Sequence, residues 1–87
     1  MITDEKLAEL DEVIANEKRV AAREVHNEAW ADGIVEGIDA AILAETAIAT
    51  ALEEMIRTEG EEAALELADT LRDRILSGEF LPYRTIQ

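Results

Sequence analysis

The chain has 87 residues and a mass of 9.6 kDa, which leaves room for one small core and none for the second domain of a larger enzyme. Eight Lys and Arg against 21 Asp and Glu give a net charge of -13, which sets the chain against direct binding to nucleic acid or to an anionic membrane. No cysteine is present, so disulfides, thiol nucleophiles and thiolate metal sites are excluded and the redox compartment is unmarked.

Helix is the only regular structure this composition favours. Fifteen alanines and fifteen glutamates stand beside one proline and four glycines, and Ala and Glu are strong helix formers. Hydrophobic residues make up 48% of the chain but aromatics only 3%, so the core must be built from Leu, Ile, Val and Ala. No run of about 18 apolar residues is present, and Met1-Ile2-Thr3-Asp4-Glu5 lacks the basic and apolar regions of a secretory signal. The expected location is the cytoplasm.

The first helix is expected to start at Thr3 as N-cap, with Asp4 and Glu5 at the positive end of the helix dipole and Ile2 and Leu7 stapled across the cap. On a helical wheel Leu7, Leu10, Ile14, Ala21 and Val25 share one face, and the pattern persists to about Ala31. From Ile34 a differently phased stripe takes over: Ile34, Ile38, Ile42, Ile48, Leu52, Met55 and Ile56. The two stripes cannot face one partner on a single straight helix, so a break or sharp kink is placed between Asp32 and Gly37. The second helix is expected over about Ile38 to Thr58 with Gly60 as its stop, and its nearly uncharged middle, Ala40 to Leu52, as the most buried segment. The third is expected over about Glu61 to Leu76, ended by Gly78, with Ala64, Leu67, Ala68, Leu71 and Ile75 facing inward.

The expected fold is all-α: a three-helix bundle in which a long N-terminal helix packs on an antiparallel helical hairpin, followed by a short extended C-terminal tail. Residues 1–78 form the acidic three-helix domain and residues 79–87 the tail. The tail holds Phe80, Tyr83 and the only proline, and its charge balances, Glu79 against Arg84. It either folds back as a hydrophobic cap or extends to dock on a partner through Phe80 and Tyr83.

Catalytic constellations are not found. His26 is the only imidazole, so a histidine-rich metal site within one chain is excluded. The Glu-x-x-His pattern of carboxylate-bridged di-iron sites fails because Arg23 stands where the glutamate belongs. An EF-hand beginning at Asp32 fails at Ile34 and Leu43, both ligand positions. No phosphate loop, nucleophile elbow or zinc signature occurs. The sequence therefore reads as non-enzymatic, with no cofactor and no metal; a carboxylate-based enzyme ranks third among the functions considered.

Two glutamates fall on apolar faces, Glu17 and Glu45, and are candidates for buried polar residues. Each either reaches an interface edge and pairs with an arginine such as Arg19, Arg23 or Arg72, or fixes register in an assembly. At i,i+4 spacing the attractive pair is Glu53 with Arg57, whereas Glu5–Glu9, Glu62–Glu66 and Asp69–Asp73 repel. Glu24, Glu28, Asp32 and Glu36 extend this into a carboxylate ladder that is continuous only if the helix does not break within it. These four are the candidate partner-binding residues, for a basic or nucleic-acid-binding protein; the alternative is a uniformly solvated acidic surface. Ala29, Gly33, Gly37 and Ala41 form a small-residue series at four-residue steps, which either lets helices of an assembly approach closely or simply makes the turn. The functional expectation is an acidic regulator or inhibitor that binds a basic partner, with a nucleic-acid-mimicking decoy as its most concrete form and a structural homo-oligomer as the alternative.

Overall fold

The computed structural model describes residues 3–82. They form three α-helices, α1 (Asp4–Val35), α2 (Ala40–Glu59) and α3 (Glu61–Leu76), with no strand among the described residues. The chain is all-α. It divides into two compact units, Met1–Leu43 and Ala44–Gln87.

In the first unit, Thr3 adopts extended backbone (φ -78, ψ 162) and its Oγ1 accepts a hydrogen bond from the Lys6 amide at 3.3 Å, with Asp4 and Glu5 in the first turn. The staple residue Ile2 lies outside the described residues. α1 then runs for 32 residues, about 48 Å at 1.5 Å per residue, and ends at Val35 rather than near Ala31. The reason is Gly33. It is helical and buried, and a Cβ built there would stand 2.7 Å from Leu43 Cδ2, so this glycine serves a close approach rather than a turn.

The turn belongs to Gly37, at φ +87. Its amide donates to the Ile34 carbonyl at 3.0 Å, and the Ile38 amide reaches back to the Gly33 carbonyl at 3.1 Å. This pair of bonds closes the exposed carbonyl end of a helix around a left-handed residue. The interruption expected between Asp32 and Gly37 is therefore a full break. α2 starts at Ala40, two residues later than Ile38, and the Asp39 carbonyl accepts from the Leu43 amide at 3.0 Å.

The second unit is organised by two further glycines. Gly60, at φ +98, donates its amide to the Met55 and Ile56 carbonyls at 3.2 and 3.1 Å, while its own carbonyl accepts from the Ala64 amide at 3.4 Å. One residue thus closes α2 and opens α3. α3 occupies the span read from the sequence and ends in the same kind of closure: Gly78 lies at φ +81, its amide bonds to the Ile75 carbonyl at 3.1 Å, and the Glu79 amide bonds to the Arg74 carbonyl at 3.3 Å.

Burial departs from the expected core. In the second unit Ala64 is buried at 5% exposure, and Leu52, Met55, Leu67 and Leu71 are half-buried. Ile48, Ile56, Ala68 and Ile75 are exposed, as are Ile34, Ile38 and Ile42. The middle of α2 is thus not the most buried segment: between Ala40 and Leu52 only Leu43, Ala44 and Leu52 are half-buried. Helical periodicity identifies an apolar face, and a face becomes core only where another element covers it.

Candidate functional site

The ladder residues Glu24, Glu28 and Asp32 lie on α1, and Glu36 is its C-cap residue in helical conformation (φ -72, ψ -6), its amide donating to the Asp32 carbonyl at 3.0 Å. All four are exposed. Because α1 continues to Val35 instead of ending at Ala31, the carboxylates follow one another at about 6 Å of rise and about 40° of rotation per step on one helix. No Lys or Arg occurs between Arg23 and Arg57, a stretch that contains eight carboxylates and His26. Like charges at this spacing disfavour the isolated helix by a few tenths of a kcal/mol per pair, and a basic partner reverses the sign of that contribution.

Glu17 and Glu45 depart from expectation. Both are exposed, so neither is a buried carboxylate. The arginine proposed near Glu17 is engaged elsewhere: Arg19 Nη1 donates to Asn16 Oδ1 at 2.7 Å. The attractive pair on α2 also shifts by one residue. Arg57 binds Glu54, not Glu53, through Nε at 3.0 Å and through Nη2, an i,i+3 contact on the exposed surface where such pairs contribute little.

At the end of α3 the chain makes a turn through Phe80, the start of the tail, whose residues 83–87 lie outside the described residues. The Leu81 amide donates to the Gly78 carbonyl at 3.1 Å. Arg74 Nε donates to Glu79 Oε2 at 2.8 Å, its Nη2 contacts the same oxygen, and its guanidinium carbon stands 4.9 Å from the centroid of the Phe80 ring. The hydrogen bond to Glu79 raises the Arg74 pKa above its ordinary value, against a smaller lowering by desolvation, with the charge of Glu79 adding to the rise. Phe80 remains 55% exposed, so the clasp orients an aromatic ring without hiding it. Tyr83, its expected companion, lies outside the described residues. The spacing rules of a helix could not find this clasp, because Arg74 and Glu79 are five residues apart across the Gly78 closure.

A second surface is the stripe on α1. Leu7, Leu10, Ile14 and Val25 are 47–63% exposed and Ala21 is exposed with them. Beside it lies a shallow, open depression of about 370 Å³ lined by Lys6, Glu9, Leu10 and Val13; enclosed ligand sites bury most of their ligand, and this one faces solvent. Among the described residues no group of three or more acidic or histidine side chains is arranged to hold a metal ion, and no helix is long and apolar enough to cross a membrane. The surfaces on offer are thus the apolar stripe of α1, the carboxylate ladder that continues the same side of the helix toward its C-terminal end, and a clasped aromatic. Comparison with protein-family models, with curated proteins and with solved structures found no match for this chain.

Proposed function

We propose that the protein is a non-catalytic regulator or inhibitor that acts in the cytoplasm by binding a basic protein through the ladder Glu24, Glu28, Asp32 and Glu36. The observation that carries the reading is the continuity of these exposed carboxylates on one helix, inside a stretch without a single Lys or Arg. A decoy for a nucleic-acid-binding groove is its most concrete form. Four charges spread over about 18 Å of helix are sparser than the one per about 1.7 Å of duplex DNA, so the decoy engages part of such a groove and relies on further contacts. For the architecture we infer an antiparallel pairing of α2 and α3 about Gly60, in keeping with the single-residue connection and with the half-buried Leu52, Met55, Leu67 and Leu71.

The test is capture of partners from the native host by the full chain, with identified partners then titrated individually. Binding is expected to weaken steeply with salt and to fall about tenfold in the variant carrying Glu24→Lys and Glu28→Lys. The variant carrying Asp69→Lys and Asp73→Lys changes net charge by the same amount and is expected to bind nearly as well. Equal loss in both variants would reduce the ladder to general acidity, and binding that ignores salt would refute the reading. Displacement of the partner by duplex DNA supports the decoy form.

A further inference from the structure

The apolar stripe of α1 lies N-terminal to the ladder on the same side of the helix and shares Glu24 with it at one edge, and it is not the face through which α1 meets the start of α2. Gly33, which packs on Leu43, lies roughly 100° around the helix from the centre of the stripe. The exposed parts of Leu7, Leu10, Ile14 and Val25 amount to about 350 Å² per chain, extended by the aliphatic stems of Lys6 and Lys18; this falls short of the roughly 800 Å² per partner of a standard interface and fits a weak, concentration-dependent contact.

Charge along the same helix indicates the occupant and its direction. Asp4 to Glu12 holds five carboxylates against Lys6, a balance of -4, whereas residues 18–23 hold Lys18, Arg19 and Arg23 and no carboxylate, a balance of +3. Most of these charges, among them Glu5, Glu12, Arg19 and Arg23, lie on the far side of the helix; Lys6, Asp11, Lys18 and Glu24 flank the stripe. An antiparallel pair sets Lys6 against Glu24 and Asp11 against Lys18, each twice.

We propose that α1 docks on α1 of a second copy, antiparallel and centred near Ala15. In this register Leu10 and Ile14 meet the stripe of the second copy, Lys6 lies beside the second copy's Glu24, and Asp11 lies beside its Lys18. Within one chain Asp11 and Lys18 stand seven residues apart, about 10 Å along the axis, so a direct pair between them is intermolecular. Glu17 sits inside the stripe and its charge opposes the contact.

Sedimentation equilibrium of the full chain from about 10 µM to about 1 mM tests this. The mass is expected to rise from 9.6 kDa toward twice that value, and to do so in about 0.5 M salt, where binding to a basic partner is screened; the two readings therefore fail independently. Ile14→Glu is expected to weaken association about tenfold or more, with far-ultraviolet circular dichroism unchanged from the parent in dilute solution where both are monomeric, since Ile14 is 47% exposed. Glu17→Leu tightens it. Asp11→Lys and Lys18→Asp each weaken it, and their combination restores it to within about twofold. A nitroxide on Asn27→Cys, in a chain with no other cysteine, gives a separation of about 36 Å or more for the antiparallel pair, against about 10–15 Å for a parallel one. A mass that stays at the monomer value, an Ile14→Glu variant that associates like the parent, no rescue by the charge swap, or the short spin-label distance would each overturn the proposal.

Discussion

The two units of this chain cover their apolar residues to different degrees, although Ile48, Ile56 and Ile75 of the second unit are exposed as well. In the second unit, α3 and the adjoining part of α2 half-bury four large side chains and bury Ala64 to 5% exposure. In the first, the only buried residue of α1 is Gly33, and the leucines, isoleucine and valines of its stripe stand in solvent. Both helices of the second unit and α1 carry apolar faces at helical spacing, so pattern does not separate them. What separates them is cover. A 32-residue helix whose stripe is uncovered within its unit depends largely on its own hydrogen bonds there, and placing a partner on that face adds the apolar burial it lacks.

Two alanines test this contrast most strongly. Ala64→Asp puts a carboxylate at the one buried alanine and is expected to destabilise the chain by about 3 kcal/mol in urea titration. Ala21→Asp, on the exposed stripe, should alter monomer stability by no more than the roughly 0.7 kcal/mol of helix propensity, yet weaken association. Similar stability losses at the two positions would break the comparison.

The glycines come next. Gly60 sits at φ 98 and ψ 165, a region that side chains avoid, so Gly60→Ala should cost about 1–3 kcal/mol. Gly33→Leu is expected to cost about 1–3 kcal/mol for a different reason, overpacking against Leu43. Gly37→Ala meets no neighbouring atom within 4 Å, and its cost of about 1–2 kcal/mol is backbone strain alone. Thermal melts of the three variants rank them. The smallest effect belongs to the Arg74 clasp: Arg74→Gln should barely move the melting temperature while freeing Phe80. The raised Arg74 pKa means that its contribution is complete at neutral pH and is lost only in strong alkali.

Local chemistry makes the helices legible in the sequence. The cap at Thr3 and the glycines at 60 and 78 set element ends to within a residue or two, because each acts on its own backbone. Long-range contacts are not legible. Asp32-Gly33 has the composition of a turn, and only Leu43, ten residues later, shows why Gly33 is helical. Arg57 reaches Glu54 instead of Glu53 because side-chain direction decides between i,i+3 and i,i+4. Periodicity gives Ile14 and Ile75 inward faces but cannot say whether anything lies opposite. Spacing alone finds the ladder residues, while their continuity hangs on where α1 ends.

The stripe of α1 is uncovered within its own unit, and the proposed second copy covers it. Hydrogen exchange at increasing protein concentration addresses this directly, because it reads α1 and α3 in the same sample. Amides over residues 7–25 are expected to exchange fast in dilute solution and gain protection as concentration rises, while those of α3 around Ala64 change far less. Amides over residues 7–25 that are already as protected as α3 at the lowest concentration, with no further gain, would contradict it.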